Sequence, residues 1–155
     1  MDFRISGLPL ASFAPLFALS DAELAARDIV RTVADTKPGF PCRVSLRDAE
    51  AGESLLLLNY EHLPVTSPYR SRHAIYVREN ATEAQLDVNE VPEVLRTRLL
   101  SLRAFDEAGM MIGADVVQGR DCATTIEQML SRPEVRYLHI HNAKPGCFAA
   151  RVDRA

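Results

Sequence analysis

The sequence predicts a single α+β domain over residues 1–155, built as a largely antiparallel sheet of six to eight strands with two helices packed on one face. Three observations carry this expectation. A chain of 155 residues with 47% apolar and 25% charged content has the size and make-up of one globular domain that can bury its own core. Segments of strand period, each bounded by turn residues, recur from residue 42 to near the end. A capping box at Ser20-Asp21-Ala22-Glu23 marks one helix start, and Asp121 or a second box at Thr124-Thr125-Ile126-Glu127 marks another.

Taken in order, Phe3-Arg4-Ile5 alternates and opens the fold as a short strand. The apolar residues 8–19, interrupted by Pro9 and Pro15, are expected to lie over the core. Leu19 and Leu24 are placed as a hydrophobic staple around the first capping box, and apolar residues Ala22, Ala25, Ala26, Ile29, Val30 and Val33 follow helical spacing, predicting a helix over 21–34 that Pro38-Gly39 ends. Residues 42–46 predict a strand, and 48–52 a turn. The unbroken Leu55-Leu56-Leu57-Leu58 run leading to Tyr60 predicts a central strand covered on both faces. Residues 74–78 form the next strand and 84–88 a weaker one, with a helical turn at 92–97. Residues 99–105 and 110–118 read as a hairpin around Asp106-Glu107-Ala108-Gly109. A short helix starts at Asp121 or at the second capping box and ends before Pro133, with Ile126, Met129 and Leu130 inward. Residues 135–142 and 147–153 close the chain as a hairpin around Ala143-Lys144-Pro145-Gly146.

The formal net charge of −3 leaves no basic field for a phosphate backbone, so nucleic acid is not an expected partner. No apolar stretch approaches the ~20 residues that a membrane helix needs, so no membrane partner is expected either. Cys42, Cys122 and Cys147 are an odd number without Cys-x-x-Cys spacing, which predicts neither a disulfide framework nor a zinc ribbon and fits a reducing cytoplasm. Prolines within residues 8–19, and Asp2 offsetting Arg4, argue against a secretory leader.

Two stretches hold side chains suited to chemistry. The connection 61–73 is longer than a hairpin needs and carries His62, Thr66, Ser67, Tyr69, Arg70, Arg72 and His73, a dense set of donors for phosphate or carboxylate oxygens. In Tyr137-Leu138-His139-Ile140-His141-Asn142, period-two geometry sends Tyr137, His139 and His141 to one face. If the turn pairs Ala143 with Cys147, His139 lies opposite Arg151, His141 opposite Ala149, and Cys147 joins the histidine face.

Three chemistries compete there. His139 and His141 with Cys147 or His62 have the ligand types of a tetrahedral zinc site, and His-x-His resembles the metal-binding pair of cupins. The carboxylate which that family places a few residues later is absent, so no metal ligand and no cofactor are assigned. Cys147 with His141 has the composition of a thiolate–imidazole nucleophile, tuned by Asn142 or Arg151. The third chemistry is hydrogen bonding alone, with neutral histidines and Arg151 lining a polar cleft against residues 69–73. Against all three stands an ordinary half-exposed sheet face.

The strings Pro38-Gly39-Phe40-Pro41-Cys42-Arg43, Ser67-Pro68-Tyr69-Arg70, Ser101-Leu102-Arg103-Ala104 and His141-Asn142-Ala143 with Gly146-Cys147 resemble, together and over nearly the whole chain, the bacterial family known as domain of unknown function 1203. That resemblance implies a small bacterial cytosolic protein and adds no activity, substrate or cofactor. The expectation from the residues themselves is a small-anion site, with or without catalysis, between residues 61–73 and the 137–151 hairpin. His62, Tyr69, Arg70, Arg72, His73, His139, Asn142 and Arg151 would bind there, with His141 and Cys147 as the reactive groups. The alternative is a non-catalytic protein that forms a homodimer or meets a partner through a sheet edge or residues 8–19.

Overall fold

The computed structural model describes all residues 1–155. Eight strands form, and every pairing between them is antiparallel. They are β1 (Phe3–Ser6), β2 (Val30–Val33), β3 (Ser54–Leu63), β4 (Ser71–Arg78), β5 (Leu99–Phe105), β6 (Met111–Gln118), β7 (Tyr137–Asn142) and β8 (Phe148–Arg154). The α+β class and antiparallel strands stand as expected, but the strands divide between a five-stranded sheet of order β1-β8-β7-β5-β6 and a three-stranded sheet of order β2-β3-β4. Four short helices complete the fold: α1 (Ala14–Phe17), α2 (Asp21–Ala25), α3 (Glu93–Arg96) and α4 (Cys122–Leu130).

The capping box at Ser20 forms, with Glu23 N–H donating to the Ser20 hydroxyl at 3.2 Å and Ser20 N–H donating to the Glu23 carboxylate at 2.7 Å. The helix it starts is shorter than the spacing predicts. It ends at Ala25, Asp28 takes a left-handed backbone (φ 57), and Val30–Val33 becomes the edge strand β2 against β3. The β-branched run Ile29-Val30-Arg31-Thr32-Val33 prefers an extended backbone, and pairing with the leucine run of β3 outweighs the amphipathic helical period. Residues 42–46 and 84–88 do not form strands. Pro41 and Cys42 make only single bridges, to Asp48 and Tyr76.

The larger core lies between the five-stranded sheet and the helices α3 and α4. Leu100, Leu102, Leu138, Ile140 and Val152 meet Val94, Leu95, Cys122, Ile126 and Leu130 there. A second core packs the three-stranded sheet, through Leu56, Leu58, Ile75 and Val77, against Phe13, Leu24 and Val44. Leu8, Leu16, Phe17 and Leu19 pack on it, so residues 8–19 cover this core. No helix is long and apolar enough to cross a membrane. The face of the five-stranded sheet turned away from the helices is where the polar chemistry collects.

Candidate functional site

The site grows from period-two geometry on three strands. With Leu138 and Ile140 committed to the larger core, His139 and His141 of β7 point the other way. β5 brings Ser101 opposite His141 and Arg103 opposite His139, while β8 brings Arg151 opposite His139. A bulge between Ile140 and His141 shifts the register, so His141 faces Phe148 rather than Ala149. The three-stranded sheet supplies the rest. β3 runs on to Leu63 with a bulge after Tyr60, and β4 starts at Ser71, so His62 and His73 sit on strands and the true connection is only 64–70.

All four histidines of the chain therefore meet at one place. His62, His139 and His141 are 8%, 2% and 1% exposed, and His73 is half-buried. His73 Nδ1 and His62 Nε2 share a hydrogen bond of 2.7 Å, and His62 Nδ1 comes within 3.4 Å of His139 Nδ1. His141 Nδ1 donates to the Gly146 carbonyl at 3.0 Å. A carbonyl only accepts, so the proton of His141 sits on Nδ1 and its Nε2 carries a bare lone pair, buried and without a partner. The Phe148 ring stacks on His62 at 4.9 Å and closes one side of the group.

No carboxylate acts on this cluster. Loss of solvent, followed by neighbouring positive groups, pushes His62 down to about 4, with His73 and Arg103 as the charged contributors. Burial pushes His139 to about 2, reinforced by His62, His141, Arg151 and Arg103. It pushes His141 to about 3, against the opposing pull of the Gly146 carbonyl. His73 is lowered by burial, then by Arg103 and Arg43. At neutral pH the cluster is four uncharged imidazoles, each with one proton and one lone pair.

Cys147 lies beside this group and does not pair with His141. Its sulfur accepts from the guanidinium of Arg43 (Nη2, 2.9 Å) and from the side-chain amide of Asn142 (3.7 Å). Arg43 is 2% exposed and meets no carboxylate. Its other donors go to the carbonyls of Phe148 (2.7 Å) and Pro41 (2.5 Å). A cleft of about 620 Å³ opens on this corner, lined by Arg43, His73, Arg98, Asn142, Lys144 and Cys147 with Gly39, Leu57 and Tyr76, and no acidic side chain lines it. A cleft of about 690 Å³ elsewhere mixes charges of both signs, among them Arg47, Asp48, Glu83, Glu93 and Arg96.

The other expected residues lie apart from that corner. Arg70 and Arg72 are exposed and both reach Glu61, at 3.2 and 3.4 Å, and Arg72 also donates to Asn59 at 2.6 Å. Arg151 is held by Asp153 at 2.8 Å and lies over the Tyr137 ring at 4.0 Å. Tyr69 is an exposed ring set edge-on to Phe105. Sequence reasoning singled out neither Arg43 nor Arg103 as site residues. Both stand in the strings that carry the family resemblance, and both interrupt apolar strand-like runs, Cys42 to Val44 and Leu102 to Ala104, where a cation needs a reason.

The family described as protein of unknown function (DUF1203) matches residues 39–154, the greater part of the chain and the part that holds every residue of this site. No curated protein and no solved structure matches it.

Proposed function

We propose that this chain, which belongs to the DUF1203 family of proteins of unknown function, binds a small anionic molecule in the cleft beside Cys147. One observation carries the reading: Arg43 is a nearly fully buried guanidinium without a carboxylate partner, set in a cleft wall that contains no acid. An uncompensated buried cation costs several kcal/mol, and an anion entering the cleft offsets that cost. Arg98 contributes less, because Asp48 already meets it at 2.6 and 2.9 Å. Lys144, exposed on the β7–β8 turn, has no ion-pair partner and stands at the rim. The Asn142 amide and the half-buried His73 add neutral polar groups. Cys147 gives the cleft a thiol that would lie against the bound molecule.

The same residues favour this reading over a contact surface on residues 8–19, where Phe13 is 1% exposed and Phe17 packs on the second core. Thermal unfolding at constant ionic strength, with chloride replaced by phosphate, acetate or succinate, tests it. At least one of these raises the midpoint as mass action requires, by about 2.7 kcal/mol of stability at 100 times its Kd. The shift shrinks in Lys144→Ala and in Arg43→Lys. Identical midpoints in every salt, or a shift untouched by both substitutions, would rule the site out.

A further inference from the structure

Four histidines in 155 residues come from β3, β4 and β7, across two separate sheets, and converge on one buried point. Anion binding in the cleft uses at most one of them, His73. The three deeper ones need their own account.

We propose that His62, His139 and His141 bind a divalent first-row transition ion of the zinc class, with His73 and the Gly146 carbonyl as outer partners and the fourth position filled by an anionic ligand beside Arg103. Each of the three offers a ring nitrogen, and these atoms all lie within 4.8 Å of one another. The pair His62 Nδ1 and His139 Nδ1 are 3.4 Å apart. Two nitrogens bound tetrahedrally at about 2.0–2.1 Å from one ion lie about 3.3–3.4 Å from each other, so this pair already has the spacing of shared ligands.

The protons also fit. His141 puts its proton on the Gly146 carbonyl and leaves Nε2 as a buried lone pair with nothing to accept from. A metal ligand in that tautomer, fixed by a backbone carbonyl on its far nitrogen, is the usual outer arrangement around a bound ion. His62 repeats it, because a proton on Nε2 donated to His73 Nδ1 frees Nδ1 for the ion. Without an ion the cluster is a packed stack of rings under Phe148, held by imidazole hydrogen bonds. That arrangement leaves His141 Nε2 as a buried acceptor with no donor, which folded proteins rarely tolerate.

The donor set selects the ion. Three imidazoles without a carboxylate suit zinc, cobalt, nickel, copper or iron(II) and do not suit magnesium or calcium, which take oxygen ligands. Three protein ligands leave one tetrahedral position open, as in catalytic rather than structural sites. Arg103 stands opposite His139 in the sheet, donates to the Ser101 hydroxyl at 3.3 Å and meets no carboxylate. A guanidinium beside a dication is tolerable only with negative charge between them, so the open position suits hydroxide or a carboxylate better than neutral water.

The test is a Co²⁺ titration of full-length protein stripped with chelator and dialysed, followed by visible absorption, with Zn²⁺ as competitor. One equivalent of Co²⁺ develops the intense ligand-field bands of a tetrahedral site, and Zn²⁺ removes them. His139→Gln and His141→Gln abolish the bands. His73→Gln, which touches no proposed ligand position, keeps the stoichiometry and weakens binding about 10- to 100-fold. Circular dichroism separates lost ligands from lost fold, and if a ligand variant unfolds, the native protein and His73→Gln still decide. No saturable band in the folded native protein, or native binding in both ligand variants, overturns the site. Lys144→Ala, which lies outside the cluster, keeps the bands, so failure of the anion cleft and failure of the metal site register separately.

Discussion

Chelator-treated protein loses stability steeply as the pH falls from 6.5 to 5, above the range in which its carboxylates protonate. His62, His139 and His141 are held below the ordinary 6.5, at about 4, 2 and 3. Above 6.5 they are neutral in both the folded and unfolded chain and contribute no pH dependence. Below 6.5 the unfolded chain binds protons that the folded chain refuses, so stability falls with pH until the folded values are reached. By pH 5 each imidazole contributes a loss of about 2 kcal/mol, and the three together about 4–6 kcal/mol once their coupling is allowed for. That is of the order of a domain's whole stability. Glu53, whose carboxyl is lowered chiefly by its hydrogen bonds from Arg78, adds an acid-side loss only below its own range, which separates the two windows. Urea midpoints at pH 7.5, 6 and 5 measure the effect, and a midpoint constant over that span would mean that the imidazoles are solvated.

Arg43→Ala costs about 3–4 kcal/mol, an unusually large loss for an arginine. Its guanidinium stitches residues 41–43 to the β7–β8 hairpin, donating to the Phe148 carbonyl, the Pro41 carbonyl and the Cys147 sulfur. Truncation leaves the carbonyl at the β8 bulge without this donor, and it opens a cavity between Cys147 and the second core. Arg43→Met keeps the volume and also removes a cation that burial opposes, so it costs less than alanine. Equilibrium denaturation of both variants measures this, and an alanine variant within about 0.5 kcal/mol of the native protein would remove Arg43 from its structural role.

Much of this site is legible in period-two alternation. His139 and His141 share a face because Leu138 and Ile140 are committed to the core, and His139 does lie opposite Arg151. Opposite His141 the expectation slips by one residue, because a bulge leaves no trace in alternating hydrophobicity. His62 reads as a loop residue for the same reason, because the bulge after Tyr60 carries β3 past the point where its apolar run stops, while His73 does so because β4 starts on the polar residues Ser71 and Arg72. Val30–Val33 reads as helix because a helical period and a β-branched run coincide there, and only the partner strand decides between them. Arg70, Arg72 and Arg151 look like free cations in a donor-rich sequence. Glu61 and Asp153 engage them, and the Arg151–Asp153 pair, two residues apart on one strand face, could have been foreseen. Arg43 leaves one trace in the sequence, a cation inside an apolar run, but its lack of a nearby acid appears only on folding.

Three buried histidines and the half-buried His73, drawn from two sheets, form one uncharged cluster. Following the four imidazole Cε1–H resonances by NMR from pH 8 to pH 5.5 tests it most directly, in metal-free protein that circular dichroism shows to be folded. Three signals hold the shifts of neutral rings throughout, with nuclear Overhauser contacts from His62 to His139 and to Phe148. Four signals titrating together near 6.5, without those contacts, would contradict it.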